Sequence, residues 1–293
     1  MQDIRKVVAW MAGALLSFSA LAVSIRSLTG AGAGLTVFEV LALRNVGGLV
    51  LLGGFALVRP DARIGPPSPL RIHIVRNLFH FVGQACWTFG LTVLPLATVF
   101  ALEFTTPAWT MLLAFLFLHE RVTTARIGAV LLGFIGVLII LRPGIGTFQP
   151  AGLVVLLAAV GFAVQLTTTK FLTGHNTVLT ILFWMNVMQL PMYLAASAAT
   201  GGSVLILPKL SMAVAPAVIG LCASGLLAHV CVTNAFRHGE AILVVPIDFL
   251  RIPVIATVGA LLYAEPFDPF VLLGAAVTAS GIVWNLVDSR RRL

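Results

Sequence analysis

Ten apolar stretches, each about as long as a bilayer is thick, dominate the 293-residue chain. They run approximately over 7–28, 36–58, 72–94, 97–118, 124–141, 151–173, 178–198, 213–235, 241–263 and 269–287. A hydrocarbon core of about 30 Å takes roughly 20 apolar residues of helix to cross, so each stretch reads as a span. The punctuation is clear: RPDARIGPPSP at 59–69, RPGIGTFQP at 142–150, GGSVLILPK at 201–209 and AEPFDP at 264–269. Only Leu94-Pro95-Leu96 separates the third stretch from the fourth. Composition excludes the soluble alternative. Hydrophobic residues make up 59% and charged residues 10%, with a mean hydropathy of +1.06, whereas a soluble domain carries about 25% charged residues. In water such a chain would leave large apolar patches. The fold class is therefore all-α integral membrane, with ten transmembrane helices.

The net charge of +8 is a topology signal and not a nucleic-acid footprint. With the N-terminus in the cytoplasm, thirteen of the eighteen Lys and Arg residues fall on the cytoplasmic side, from Arg5 and Lys6 through Arg59, Arg121 and Lys170 to Arg292. Only Arg26, Arg142 and Lys209 fall outside, and Arg44 and Arg251 lie within spans. That asymmetry is the positive-inside bias, and it puts both termini in the cytoplasm of a multi-pass protein of the cell inner membrane. Cys86, Cys222 and Cys231 all lie in apolar runs and read as small core residues. The first apolar run lacks a small-residue cleavage site and reads as a retained span.

The second half repeats the first at an offset of 141 to 145 residues. Thr36-Val37 and Asn45-Val46 return as Thr177-Val178 and Asn186-Val187, Cys86-Trp87-Thr88 as Cys231-Val232-Thr233, and Glu103-Phe104 as Asp248-Phe249. Glu120 returns as Glu265 and Gly136 as Gly281. Residues 1–145 and 146–293 thus form two five-helix repeats. Five is odd, so the second repeat crosses the membrane with the opposite orientation. Inverted-topology repeats are a transporter device, in which two halves exchange conformations around a site near the midplane.

The residues Leu116-Phe117-Leu118-His119-Glu120-Arg121, followed by Gly128, Gly133 and Gly136, carry a more specific resemblance. Their second copy is Leu262-Tyr263-Ala264-Glu265-Pro266, followed by Gly274 and Gly281. The chain resembles the drug/metabolite transporter (DMT) superfamily, of the type built from two EamA domains, over essentially its whole length. That resemblance implies a ten-helix secondary transporter, an exporter or exchanger of small metabolites. The repeated Glu reads as structural, a carboxylate at a helix start where the dipole favours it, and the glycines as contacts for close helix packing.

Ionisable and strongly polar side chains inside spans are the candidates for a substrate site. His73, Arg76, Asn77, His80, Gln84 and Trp87 recur every three or four residues and share one face of the third span. Arg76, near the cytoplasmic end, reads as snorkelling, while His80 and Gln84 read as cavity lining. His229 stands in the second repeat where Gln84 stands in the first. Glu103 and Asp248 are likewise equivalent, and Asp248 has Arg251 three residues on as a helical ion-pair partner. Glu103 needs Arg44 or Arg251 from another helix, or else a proton. Arg44 could pair instead with Glu39. Pro107, Pro246 and Pro253 free backbone groups in the fourth and ninth spans and mark candidate gates. Trp109 and Gln165 complete the candidate substrate-binding set of His80, Gln84, Trp87, Glu103, Trp109, Gln165, His229, Asp248 and Arg251. Trp184, Asn186 and Gln189 are weaker candidates.

A mixture of charges and aromatic surface suits a zwitterion with an apolar side chain, and amino-acid export by alternating access is the expected activity. A carrier of a nucleobase, vitamin or methyl-donor metabolite is the alternative within transport. An integral membrane enzyme acting on lipid is the alternative from another class, but enzymes concentrate their acids or nucleophiles and these candidates are scattered. No catalytic residues, metal site or cofactor are expected, and the missing ATP-binding motif excludes a self-contained pump. The expected partners are a small-molecule substrate, a proton or counter-substrate, and the lipid bilayer. No nucleic-acid partner is expected, and the sequence sets no oligomeric state.

Overall fold

The computed structural model describes residues 3–29, 34–59, 63–94, 99, 102–141, 150–251, 254 and 269–291. All regular structure among them is helical. The elements are α1 (Ile4–Thr29), α2 (Val37–Val58), α3 (Leu70–Val93), α4 (Thr106–Leu118) and α5 (Thr124–Leu141) in the first half. The second half supplies α6 (Ala151–Leu172), α7 (Val178–Ala199), α8 (Ala215–His238), α9 (Ala241–Val244, continuing as a 3-10 turn over Val245–Leu250) and α10 (Pro269–Arg291).

By length and composition, α1, α2, α6, α7 and α8 suffice to cross a membrane. The stretches over α4, α5 and α9 are shorter apolar helices. α3 has the length, but Arg71, His73, Arg76, Asn77 and His80 lower its hydropathy. Apart from residue 254, the part of the ninth expected span after Arg251, Pro253 included, lies outside the described residues, as do Glu265 beyond it and the Leu94-Pro95-Leu96 join after its first residue.

Burial is inverted relative to a water-soluble bundle. Leu16, Val50, Phe55, Phe117, Leu131 and Leu153 are exposed on the flanks, whereas Arg44, His73, Arg76, Asn77, His80, Asn186 and Gln189 are buried inside. In lipid, apolar flanks cost nothing and every polar group must be satisfied within the protein.

Four helix interfaces dominate: α1 with α8, α3 with α6, α2 with α7, and α5 with α10. Glycine sets the closest of these. A Cβ at Gly136 of α5 would stand 2.5 Å from the Gly274 carbonyl of α10, and one at Gly161 of α6 would stand 2.9 Å from the Phe79 carbonyl of α3. Backbones can approach to that distance only where the side chain is absent.

Polar residues tie the two ends of the bundle. At one end the Asp3 N–H donates to the His238 carbonyl at 3.0 Å. There Lys170 Nζ donates to the carbonyls of Phe236 (2.7 Å) and Gly239 (2.6 Å), and Arg126 pairs with Glu240. At the other end Thr36 and Glu39 form a capping box that starts α2. Glu39 also accepts from the Ser203 N–H at 2.7 Å and from Lys209 Nζ at 2.6 Å.

Glu120 does not cap its own following helix. His119, in the left-handed conformation at φ 56°, ends α4. The turn carries Glu120 across to the other half, where its two oxygens accept from the N–H groups of Ala241 (2.8 Å) and Ile242 (2.9 Å) at the start of α9. The carboxylate therefore joins the two halves of the chain.

Candidate functional site

Two helix interruptions build the site. In the fourth span, residues 102–103 are helical, 104–105 form a turn, and α4 starts at Thr106. Pro107 has no N–H to give the Glu103 carbonyl, and the Thr106 hydroxyl donates to it instead at 2.6 Å. In the ninth span, α9 tightens into a 3-10 turn at Val245-Pro246. That turn brings Asp248 and Arg251 opposite Glu103.

Between these breaks lies a cavity of about 100 Å³, room for several waters. It sits among the middle turns of α1, α3 and α6, beside the last turns of α8 and the 3-10 turn. His80, Gln84, Trp87, Glu103, Gln165, His229, Asp248 and Arg251 all line it. Eight of the nine residues singled out from the sequence are thus brought together from five elements. Trp109 is the exception: it is 41% exposed on the outer surface. Once Pro107 restarts the helix, position 109 falls on the lipid-facing side of α4.

Arg251 is the centre of charge. It pairs with Glu103 from the first half and, at 3.1 Å, with Asp248 on its own element. Trp87 Nε1 donates to the second Glu103 oxygen at 2.6 Å, so that carboxylate is held on both sides. Oδ1 of Asp248 has no partner. The Arg251 guanidinium also lies 5.3 Å from the ring centre of Phe18 and 5.4 Å from that of Phe104, within cation–π range.

The imidazoles of His80 and His229 meet edge to face at 5.0 Å, so α3 and α8 touch at the cavity. Gln189 Nε2 donates to His80 Nδ1 at 2.7 Å and to Asn77 Oδ1 at 2.9 Å. As acceptor at Nδ1, neutral His80 carries its proton on Nε2.

The structure corrects two further expectations. Arg76 does not snorkel. It is fully buried, and its nitrogens donate to Thr169 Oγ1 (2.7 Å), Asn77 Oδ1 (3.0 Å) and Met185 Sδ (3.5 Å). Arg44 does not reach Glu39, which Lys209 occupies. It donates instead to Gln84 Oε1 at 3.4 Å. Of the weaker candidates, Trp184 and Asn186 donate to backbone carbonyls, and only Gln189 touches the wall.

Sequence reading missed the aromatic wall of Phe18, Phe104, Phe162 and Phe236. Every face of these helices is apolar, so no periodicity marks which phenylalanine points inward. Among the described residues no three His, Cys, Asp or Glu side chains converge as a metal ion would need.

Residues 5–142 match the model of the EamA-like transporter family. A riboflavin transporter of Brucella anthropi is 32% identical over 208 residues, covering 71% of this chain and 73% of that protein. An S-adenosylmethionine uptake transporter of Rickettsia bellii is 26% identical over 286 residues, covering 98% and 95%. A solved crystal structure shares the fold at a TM-score of 0.78 and 18% identity, covering 97% of this chain and 98% of that one. This multi-pass membrane protein belongs to the EamA-like transporter family of the drug/metabolite transporter superfamily.

Proposed function

We propose that the chain carries a heterocyclic metabolite of the vitamin or methyl-donor class across the cytoplasmic membrane, by alternating access between two inverted five-helix repeats. The observation that carries this reading is the cavity where Glu103 of one repeat meets Arg251 of the other, walled by Phe18, Phe104, Phe162 and Phe236. Flat apolar walls with hydrogen-bonding amides and imidazoles between them suit a planar ring system bearing polar substituents. The relatives support that cargo: one is named a riboflavin transporter, another an S-adenosylmethionine uptake transporter. This class replaces amino-acid export as the preferred reading.

The helix interfaces support the inverted repeat. Exchanging the two halves turns the α1–α8 contact into α6–α3, and returns α2–α7 and α5–α10 to themselves. A two-fold relation of that kind lets the halves swap conformations around a shared site. Both termini then lie in the cytoplasm, with Lys170, Arg126 and Glu240 at the inner end and the Glu39–Lys209 pair at the outer end. Glu103 and Asp248 share one cation, so the cavity has one carboxylate more than Arg251 can neutralise. A proton on Asp248 is the proposed coupling charge.

Purified protein in proteoliposomes, offered labelled riboflavin, S-adenosylmethionine and a panel of amino acids, tests the reading. Saturable uptake of at least one heterocycle, without competition by the amino acids, is the expected result. Amino-acid uptake with neither heterocycle carried would overturn it.

A further inference from the structure

Four arginines are buried among the described residues. Arg126, at one end of the bundle, pairs with Glu240, and the other three are provided for differently. Arg251 has two carboxylates. Arg76 has no carboxylate among the described residues, but every nitrogen has an acceptor. Arg44, on α2, has neither. It is 3% exposed, forms no ion pair among the described residues, and its second terminal nitrogen has no hydrogen-bond partner. The acceptor it meets in hydrogen-bond geometry, Gln84 Oε1, lies at 3.4 Å, the long limit for such a bond.

The surroundings are built for this guanidinium. Gly225 of α8 leaves the space in which it lies, since a Cβ there would stand 2.8 Å from Arg44 Cδ. Beside it is the Tyr193 hydroxyl of α7, fully buried, whose oxygen lies against the Arg44 guanidinium and whose proton finds no acceptor. The Arg44 cation thus has only neutral neighbours, the Gln84 amide and the Tyr193 oxygen, and the Tyr193 proton is left without an acceptor. Gln84 separates Arg44 and Tyr193 from the cavity, and it is a neutral, flexible side chain.

We infer that Arg44 and Tyr193 form an anion subsite of the transport cavity, covered by Gln84, that receives a carboxylate or phosphate on the transported molecule. The inference rests on the proposed transport of a heterocycle and narrows it to cargo carrying an anionic group. A buried cation without a counter-charge is costly, and a charge-assisted bond at about 2.7–2.9 Å is far stronger than the contact Gln84 makes. An arriving anion displaces the Gln84 amide from Arg44, and the freed amide turns towards the ligand. Asp248 Oδ1, the unpaired acceptor on the opposite wall, then faces the cationic or hydrogen-bond-donating end.

Two pairs of heterocycles that differ by one anionic group provide the test: riboflavin against flavin mononucleotide, and decarboxylated S-adenosylmethionine against S-adenosylmethionine. In proteoliposomes the wild type should favour the anionic member of the pair it carries by about ten- to a hundredfold, the worth of one charged hydrogen bond. Arg44→Gln should lose that preference while still carrying the other member. Tyr193→Phe, which leaves the charge in place, should narrow it, and supplies the comparison if Arg44→Gln does not fold. Equal handling of both members by the wild type, or a preference that survives both substitutions, overturns the subsite. A second measurement does not depend on the cargo. Benzoate, but not benzyl alcohol, should raise the melting temperature of detergent-purified wild type, and the rise should shrink in the variants. If none of the four heterocycles crosses while that pattern holds, the transport reading falls and the subsite stands. A benzoate shift that is absent, or equal in all proteins, overturns the subsite.

Discussion

Arg251, on the turn that follows α9, donates to the carboxylate of Glu103, 148 residues earlier in the chain, and so ties the two halves together across the cavity. Removing the cation leaves two buried carboxylates. Arg251→Gln is expected to cost about 3–5 kcal/mol. Glu103→Gln should cost less, because Asp248 still pairs with Arg251. The double variant should recover part of the loss. Thermal unfolding of the three variants in detergent, followed by size exclusion, measures the order; equal losses for both single variants would refute the shared-cation arrangement.

The two tryptophans separate the wall from the lipid face. Trp87→Phe removes the donor to Glu103 and should lower transport roughly tenfold, the worth of a buried hydrogen bond to a charged group. Trp109→Ala, on the exposed face of α4, should leave transport within about twofold. Initial uptake rates at matched protein density decide between them.

Glu120 joins the two halves of the chain through the first N–H groups of α9, and Glu120→Ala should destabilise the fold by about 1–2 kcal/mol as a lost cap. Burial raises its carboxyl above the ordinary value of 4.5, against the pull of the Ile242 and Ala241 N–H groups. The folded state then holds this proton more tightly than the unfolded state. Stability from this group is present at low pH and is lost as pH rises from the ordinary value through the raised one. Melting temperatures across that window should fall in the wild type and fall less in Glu120→Gln.

Close packing of α5 on α10 depends on Gly136. Gly136→Val drives a side chain into the Gly274 carbonyl and should sharply lower folded yield, by overpacking worth about 1–3 kcal/mol or more. Gly53→Val, where no atom lies within 4 Å, is the control and should fold normally. Fluorescence-detected size exclusion of tagged proteins reads both.

Reporter fusions after Arg63, after Arg121 and at the C-terminus should report cytoplasm, and a fusion after Gly202 should report the outside. The Glu39–Lys209 and Arg126–Glu240 pairs tie opposite ends of the bundle, so the two groups of fusions cannot share a side. A periplasmic signal after Arg121 would break the topology.

The helical class, the membrane as solvent and the inward polar residues were all legible in the sequence. Each follows from a local rule: an apolar run long enough for lipid, or a charge too costly to leave in it. His80, Gln84, Glu103 and Asp248 stood out because polarity is rare there. Tertiary structure alone decided which partner each one met. Arg251, not Arg44, took Glu103, because the Pro107 and Pro246 breaks turn those two segments towards each other. Arg76 was drawn inward to Thr169 and Asn77, although its position near a helix end would have let it reach water. Trp109 faced out and Phe162 faced in, although both sit in uniformly apolar helices. When every face of a helix is apolar, hydropathy carries no directional information, and the closest backbone contacts, such as Gly161 on α3, determine which face turns inward.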